Sequence, residues 1–212
     1  MTQEVLGAVK KPSFARGKRG NFSNRKDEVL RVAARLFSEL GFRQATLEDV
    51  AGTLNITRPA LYHYAKSKDE LAKLCSEIAE DMIQEAISAA LRHQTGREQL
   101  VAFFRRYAEI ICDDFGRCFV LVRRREYGPE QQERSRKVQR TIDRSIRDMV
   151  VKGVGDGSLK IVDPADASRA LFGAFNGIPV WYRSMAGRAP SQIAEDFLVI
   201  LLGGLAPRSE GA

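Results

Sequence analysis

Two short helices with clear capping signals, joined by a tight turn, are encoded between residues 46 and 71. Thr46 is placed to cap the first helix, and Asp49 stands at its third position, as in a capping box. Asn55, which tolerates the left-handed conformation, ends that helix. Thr57 caps the second helix, with Pro59 in its first turn, where the missing N–H does no harm. This pattern predicts a helix-turn-helix whose second helix enters the major groove of DNA.

The second of these helices also carries a family resemblance. The run from Thr57 to Leu71, TRPALYHYAKSKDEL, resembles the DNA-binding signature of the tetracycline-repressor (TetR) family. A Leu-Tyr pair, then Lys-Ser-Lys and two acidic residues before Leu71, lie at the offsets typical of that signature. Two positions depart from it: Asn55 stands where the family commonly has Gly, and Ala65 where it commonly has a large apolar residue. The second departure predicts looser packing behind the reading helix.

The resemblance implies an all-α protein with a three-helix DNA-binding head and a larger C-terminal helical body for regulation and dimerisation. The expected division is a basic flexible arm at 1–24, the head at 25–70 and the ligand-binding and dimerisation body at 71–212. The expected function is that of a ligand-responsive transcriptional regulator. The favoured form is a repressor that a small-molecule effector releases from its operator. Its partners would be double-stranded DNA with a palindromic operator, the effector and a second copy of the chain.

The reading helix offers both base and phosphate contacts. The fork of Arg58 fits guanine O6 and N7, and Pro59 and Ala60 can pack on a thymine methyl group. The resemblance places Tyr62, Tyr64 and Lys68 at phosphate-holding positions, and we expect His63 to touch base or backbone. Together with hydroxyl or cap contacts from two threonines, the expected DNA-binding residues are Thr46, Thr57, Arg58, Pro59, Ala60, Tyr62, His63, Tyr64 and Lys68.

Charge and hydropathy narrow the class of protein to which this chain can belong. A formal charge of +7 and a pI near 9.5 suit an anionic partner, either nucleic acid or a membrane surface. No apolar run reaches the roughly 18 residues that span a bilayer, and the N-terminus lacks the apolar core of a secretory signal, so we expect a cytoplasmic protein without membrane contact. The first 24 residues are open to two interpretations: a solvated tail, or an arm that follows DNA phosphates.

Metal, cofactor and enzyme chemistry find no support in the sequence. Cys75, Cys112 and Cys118 are odd in number and lack metal-like spacing, and the chain has only two histidines. A nucleophile elbow and a phosphate loop are both missing, and the glycines at 153, 155 and 157 follow no predicted strand, so we interpret them as a connecting loop. We therefore expect no metal, no cofactor and no enzymatic activity.

Helical periodicity continues through the rest of the chain. We expect helices from about 25 to 40, from 68 to about 90, from 98 onward, from 115 to about 127, and from 129. Ser67 is expected to cap the second of these in a box with Glu70. Asp163 caps a further helix that is apolar nearly all round and kinked by Pro179, and the last helix spans about 191 to 205.

The body contains a candidate effector site. The segments 123–129, 174–183, 191–194 and 203–205 are similar, more loosely than the head, to the branch of the family that responds to acyl-CoA thioesters. Aromatic residues would line an apolar slot, and Arg123, Arg124 or Arg183 would meet phosphates. The expected ligand-binding set is Phe103, Tyr107, Phe119, Arg123, Arg124, Phe172, Phe175 and Asn176. Two alternatives stay open: the aromatic residues are simply core, or the effector is a free hydrophobic or aromatic molecule such as a drug.

The last two long helices carry more apolar residues than one inward face can hold, which indicates a surface completed by another chain. In the family, this helix pair from each subunit forms a four-helix dimer interface. We expect Trp181, Phe197, Leu198 and Leu201 to belong to it. The alternative is a hairpin buried within a monomer.

Overall fold

The computed structural model describes residues 22–182 and 187–204, with side chains from residue 25. This part of the chain is helical and contains no strand, so the all-α prediction is confirmed. Its helices are α1 Phe22–Leu40, α2 Leu47–Leu54, α3 Arg58–Leu61, α4 Lys68–Ala90, α5 Gly96–Cys112, α6 Asp114–Leu121, α7 Pro129–Gly155, α8 Pro164–Phe175, α9 Ile178–Trp181 and α10 Pro190–Gly203. A 3₁₀ turn at Arg124–Glu126 lies between α6 and α7. The expected arm lies almost wholly outside the described residues, and so does Arg183, one of the expected phosphate-binding arginines.

The head is built by α1, α2 and α3 around one apolar core. Val29, Ala33 and Phe37 on α1 are almost fully buried, as are Val50 on α2 and Leu61 on α3. The first helix begins at Phe22, three residues before the predicted start. The caps follow the sequence prediction: Thr46 forms a capping box with Asp49, and Asn55 ends α2 in the left-handed region with φ 52°.

The long helix α4 connects head and body, and its N-terminal half packs against α1 while its C-terminal half packs against α5. Ser67 caps it by accepting the Glu70 N–H. The expected box is wrong in one detail, because the Glu70 carboxylate accepts the N–H of Lys66 rather than that of Ser67 (2.6 Å). Glu70 therefore fixes the turn before the cap.

The body packs α5 at its centre, with α4, α6, α7 and α10 around it. The approach of α5 to α7 is close at two glycines. A Cβ on Gly96 would lie 2.1 Å from the Gly153 backbone nitrogen, and one on Gly153 would lie 2.5 Å from Leu159. The predicted glycine loop is thus wrong for Gly153 and Gly155, which belong to α7; Gly157, with φ +75°, does form the turn.

Two helix ends differ from the prediction. Helix α6 ends at Leu121 rather than near Tyr127, because the chain turns extended at Val122 before the 3₁₀ turn. Helix α8 ends at Phe175, and a turn at 176–177 precedes α9, so the chain breaks before Pro179 instead of kinking at it. The missing proline N–H makes that break inexpensive. Helix α8 is also less buried than expected, since Leu171 and Phe175 face inward while Ala170 is exposed.

Candidate nucleic-acid interface and adjacent cavity

The reading helix α3 is one turn long and is fixed at both ends. Thr57 Oγ1 accepts the Ala60 N–H at 3.3 Å, and Leu61 is fully buried in the head core. Pro59 is exposed in the first turn, and Ala60 is partly exposed. The turn that follows exposes Tyr62 and His63, whereas Tyr64 is half-buried against the core. The structure therefore gathers Arg58, Pro59, Tyr62 and His63 at one exposed surface.

Arg58 is held by contacts on two sides. Its Nε donates to the Tyr62 hydroxyl at 3.1 Å, and its Nη1 lies 2.5 Å from Glu48 Oε1 on α2. The hydrogen bond with Tyr62 and the charge of Glu48 raise the pKa of Arg58. A guanidinium carries five N–H donors, so three remain after these two contacts. The side chain is thus oriented while keeping donors for a base edge. Sequence reasoning missed Glu48, although a carboxylate in the first turn of α2 was a visible signal.

Thr46 and Lys68 are engaged within the head. Thr46 exchanges hydrogen bonds with Asp49, whose pKa they lower. Lys68 Nζ donates to the carbonyl oxygens of Phe42 (2.8 Å), Arg43 (3.3 Å) and Ala45 (3.1 Å). It also lies 4.6 Å from the centre of the Phe42 ring. Lys68 therefore ties the α1–α2 turn to the start of α4, a role that sequence reasoning missed; a phosphate contact by Lys68 stays a prediction.

Most of the expected effector residues form a closed aromatic cluster in the body. Phe103 stacks on Tyr107 at 5.4 Å, and Phe104 lies 4.6 Å from Phe175. Phe103 and Phe175 are fully buried, Tyr107 is 3% exposed, and Phe172 is partly exposed at the edge. Burial raises the pKa of Tyr107, whose hydroxyl donates to Asn176 Oδ1 at 2.7 Å. These rings fill the space between α5 and α8 themselves, so the structure does not bring them together with Phe119 in an open slot.

A cavity of about 140 Å³ lies elsewhere, between α4, the end of α6 and α7. The lining residues are Ser76, Phe119, Val120, Val122, Arg123, Arg124, Tyr127, Ser135 and Gln139. It adjoins an open bay of about 530 Å³ lined by Arg123, Arg124, Arg125, Gln132 and Arg136. In the described part of the chain, the only carboxylate paired with these four arginines is Glu133, 3.3 Å from Arg136. Phe119, Val120 and Val122 give the otherwise polar lining an apolar patch, and an apolar patch beside four cations suits an amphiphilic anion. Of the expected set, Phe119, Arg123 and Arg124 are brought together here.

The four candidate dimer residues differ in how far they are buried within this chain. Leu198 is 5% exposed and belongs to the chain's own core, so it does not lie on an outer face. Trp181 and Phe197 are half-buried and lie 6.2 Å apart, and Leu201 is also half-buried. The outer side of α10 shows Val199, 70% exposed, and Ile200, 43% exposed. Sequence reasoning missed these two because the apolar pattern does not say which face is outermost.

The described residues hold no metal site. Between residues 22 and 204, outside the gap at 183–186, no cluster of three or more His, Cys, Asp or Glu side chains is placed to hold a metal ion. The three cysteines are free thiols, and burial raises the pKa of Cys118 to about 12. Over the same ranges, every helix is too short or too polar to cross a membrane.

The fold and the exposed reading helix define a helix-turn-helix DNA-binding protein with a helical body. Residues 29–75 match the family model "Bacterial regulatory proteins, tetR family", and residues 93–205 match "Tetracyclin repressor-like, C-terminal domain". The chain belongs to the TetR family. It is a ligand-responsive DNA-binding transcriptional regulator and not an enzyme. Regulators of this family bind operator DNA, are dimers and bind small-molecule effectors.

Relatives span most of the chain. Over 197 residues it is 23% identical to the HTH-type transcriptional repressor KstR2 of Mycolicibacterium smegmatis, covering 86% of this chain and 91% of that protein. The TetR family regulator PfmR of Thermus thermophilus matches with a TM-score of 0.76 at 26% identity, covering 84% and 99% of the two chains. AibR, solved in complex with isovaleryl coenzyme A and operator DNA, has a TM-score of 0.75 and covers 84% of this chain and 98% of its own. At 18% identity, AibR is a likeness of fold alone.

Proposed function

We propose that this chain is a homodimeric cytoplasmic repressor that binds a palindromic operator and leaves it when an acyl-CoA thioester binds. The observation that carries the effector class is the cavity at Phe119, Arg123 and Arg124 with the arginine bay beside it. A thioester of CoA joins an apolar acyl chain to several phosphates, so it needs an apolar wall and unpaired cations in one place. The AibR complex supports the proposal by analogy, since a protein of the same fold binds a CoA thioester and DNA.

For the DNA side, we propose that Arg58 reads a base and that its neighbours position the head. Pro59 and Ala60 would contact base edges, while Tyr62, Tyr64 and His63 would contact the backbone. Thr46 and Thr57 would serve mainly as the N-caps of α2 and α3, with their hydroxyl groups beside the DNA backbone. We also propose that the chain divides into an arm (1–24), a DNA-binding head (25–70) and a body (71–212).

For assembly, we propose that α8 and α10 of two copies pack together. The exposed Ile200 lies beside the half-buried Phe197 and Leu201 on α10, and Val199 is exposed on another side of the same helix. Exposed apolar side chains of this kind suit burial by a partner. A self-complementary contact would place two heads on two half-sites about 34–36 Å apart. Replacing Val199 by Glu should give monomers in sedimentation and lose operator binding, whereas Glu195→Gln, on the same helix, should stay dimeric.

The effector proposal is tested by titration into an operator complex. A duplex is first selected from randomised DNA with the purified protein, and release is followed by fluorescence anisotropy. Octanoyl-CoA and isovaleryl-CoA should release the protein, whereas free CoA and the matching free acids should not. Replacing both Arg123 and Arg124 by Gln should abolish release while leaving operator binding in place. Replacing both Arg140 and Arg144 by Gln, two exposed arginines on α7, serves as the charge-matched control.

The same titration judges the alternative effector. Release by a free acid or by a neutral aromatic molecule would overturn the thioester proposal. In that case the double arginine variant should respond as the unmodified protein does. Failure to select any preferred duplex would instead overturn the proposed operator recognition.

A further inference from the structure

We propose that Tyr127 transmits occupancy of the cavity to the DNA-binding head. The inference rests on the proposed function, since it concerns how that effector site would control DNA binding. Tyr127 lines the cavity from the segment between α6 and α7, and the same ring is part of the head core. The Tyr127 side chain therefore contacts both the cavity and the core of the DNA-binding head.

On the cavity side, Tyr127 is held in a short, well-bonded segment. Its N–H donates to the Arg124 carbonyl at 3.1 Å, and its carbonyl accepts Nε2 of Gln132 at 2.8 Å. Its hydroxyl meets the side chains of Ser76 and Cys118, and burial raises its pKa. Because Arg124 lies in the same 3₁₀ turn, an anion that draws this arginine toward the bay acts directly on the backbone that carries Tyr127.

On the head side, the Tyr127 ring meets Phe42 edge-on, with the centroids 5.0 Å apart and the planes at 60°. Phe42 lies under the Lys68 ammonium and offers it a carbonyl oxygen. The same ammonium binds the carbonyl of Ala45, the residue before the α2 cap Thr46. A shift of Tyr127 therefore reaches, through Phe42 and Lys68, the residues that orient both α2 and the start of α4.

This arrangement makes a switch physically possible. A ligand changes an equilibrium only if it binds the two states with different affinity. Here the state with Tyr127 in its present position leaves only a small cavity, and a state with Tyr127 displaced away from the cavity, toward Phe42, would leave a larger one. A bulky acyl group would select the second state and so loosen the α1–α2 turn. A direct push of α6 on α4 is the competing route, and it would not require Tyr127.

The test replaces the ligand by a side chain. Gln139 lines the cavity from α7 and is exposed, so Gln139→Trp places a bulky ring at its mouth. Arg140→Trp, one residue along α7 and exposed, adds the same ring elsewhere. Without any effector, Gln139→Trp should weaken operator binding by about tenfold or more, a typical coupling between linked sites. Arg140→Trp should change it by less than about twofold, the range expected for independent sites.

A second background isolates the role of Tyr127. Combined with Tyr127→Leu, Gln139→Trp should weaken operator binding by less than about twofold relative to Tyr127→Leu alone. Combined with Tyr127→Phe, which keeps the ring, it should retain its full effect. Equal weakening in all three backgrounds would overturn the proposal in favour of the direct push on α4, and an unchanged affinity would overturn any control from this cavity.

Hydrogen exchange provides a readout that needs neither operator nor effector. The Ala45 N–H donates to the Gly41 carbonyl at 3.1 Å, within the turn that Lys68 clamps. Gln139→Trp should speed exchange at Ala45, and Tyr127→Leu should remove the difference that Gln139→Trp makes. Exchange that is insensitive to Gln139→Trp in the folded protein would overturn the proposal even if no acyl-CoA binds. A thioester that fails to bind overturns the proposed effector alone.

Discussion

Replacing Lys68 by Met tests whether this residue holds the head together or only touches DNA. The ammonium donates to the carbonyls of Phe42, Arg43 and Ala45 and lies over the Phe42 ring. Methionine keeps much of the length and apolar stem of the side chain but removes the charge and all three donors. The substitution therefore deletes these contacts with little change in packing.

The expected loss follows from the contacts. The bond to Arg43 is the longest, at 3.3 Å, and is exposed, so water can replace it. The bonds to Phe42 and Ala45 are half-buried, at 2.8 and 3.1 Å. A hydrogen bond from a charged donor contributes about 1.5–3 kcal/mol, and we take the lower end because the site is partly solvated. Two such bonds contribute about 3 kcal/mol, and with about 0.5–1 kcal/mol for the cation over the ring, the free energy of unfolding should fall by about 3.5–4 kcal/mol.

The assay is urea unfolding at a fixed protomer concentration, because dimer stability depends on concentration. The control is Lys66→Met, an exposed lysine in the same turn, which should change the free energy of unfolding by less than about 0.5 kcal/mol. Operator affinity is then measured against salt for both variants. Unchanged stability for Lys68→Met, together with a salt dependence reduced by one phosphate contact, would refute the clamp and assign the ammonium to DNA.

Three further outcomes are expected. Gly116→Ala should prevent folding, since the added Cβ would lie 1.9 Å from the Ile110 carbonyl oxygen. Gly52→Ala, in open space on α2, should raise the free energy of unfolding by about 0.5–1 kcal/mol, as measured by thermal denaturation. Hydrogen bonds lower the pKa of Asp156 in the folded protein below its ordinary value of 3.8. Its carboxylate therefore stabilises the fold above pH 3.8, and this stabilisation is lost as the pH falls through the lower pKa of the folded protein. Asp156→Asn should make the free energy of unfolding, measured in urea, less dependent on pH below 3.8. Glu48→Gln should alter operator preference at the one base pair that we propose Arg58 reads, as measured on operator variants.

The helix-turn-helix could be predicted because its signals are local. Thr46 with Asp49 forms a capping box in any chain that places them three residues apart, and Asn55 ends a helix by its own backbone preference. The same holds for Asp163, which caps α8 as predicted. Such pairs are read within one turn of helix, so no knowledge of the rest of the fold is needed.

The cavity could not be predicted, because its walls come from distant parts of the chain. Ser76, Val122 and Gln139 meet only once α4, α6 and α7 are packed. Aromatic composition drew attention to Phe103 and Phe175 instead, whose rings pack against other rings of the cluster. Lys68 did leave a signal: a cation in the first turn of α4 is opposed by the helix dipole, so it needs nearby oxygen acceptors.

The packing of the head explains why an occupant of the body can affect DNA binding at all. Sequence places a division after Glu70, yet the core around α1 continues across it through Leu71 and Cys75 of α4. That core is then closed by Phe115 and Tyr127, which belong to the body. Close-packed interiors transmit small displacements instead of absorbing them. The head therefore cannot keep its shape independently of the segment that lines the cavity, and control of DNA binding from that cavity needs no further moving part than Tyr127.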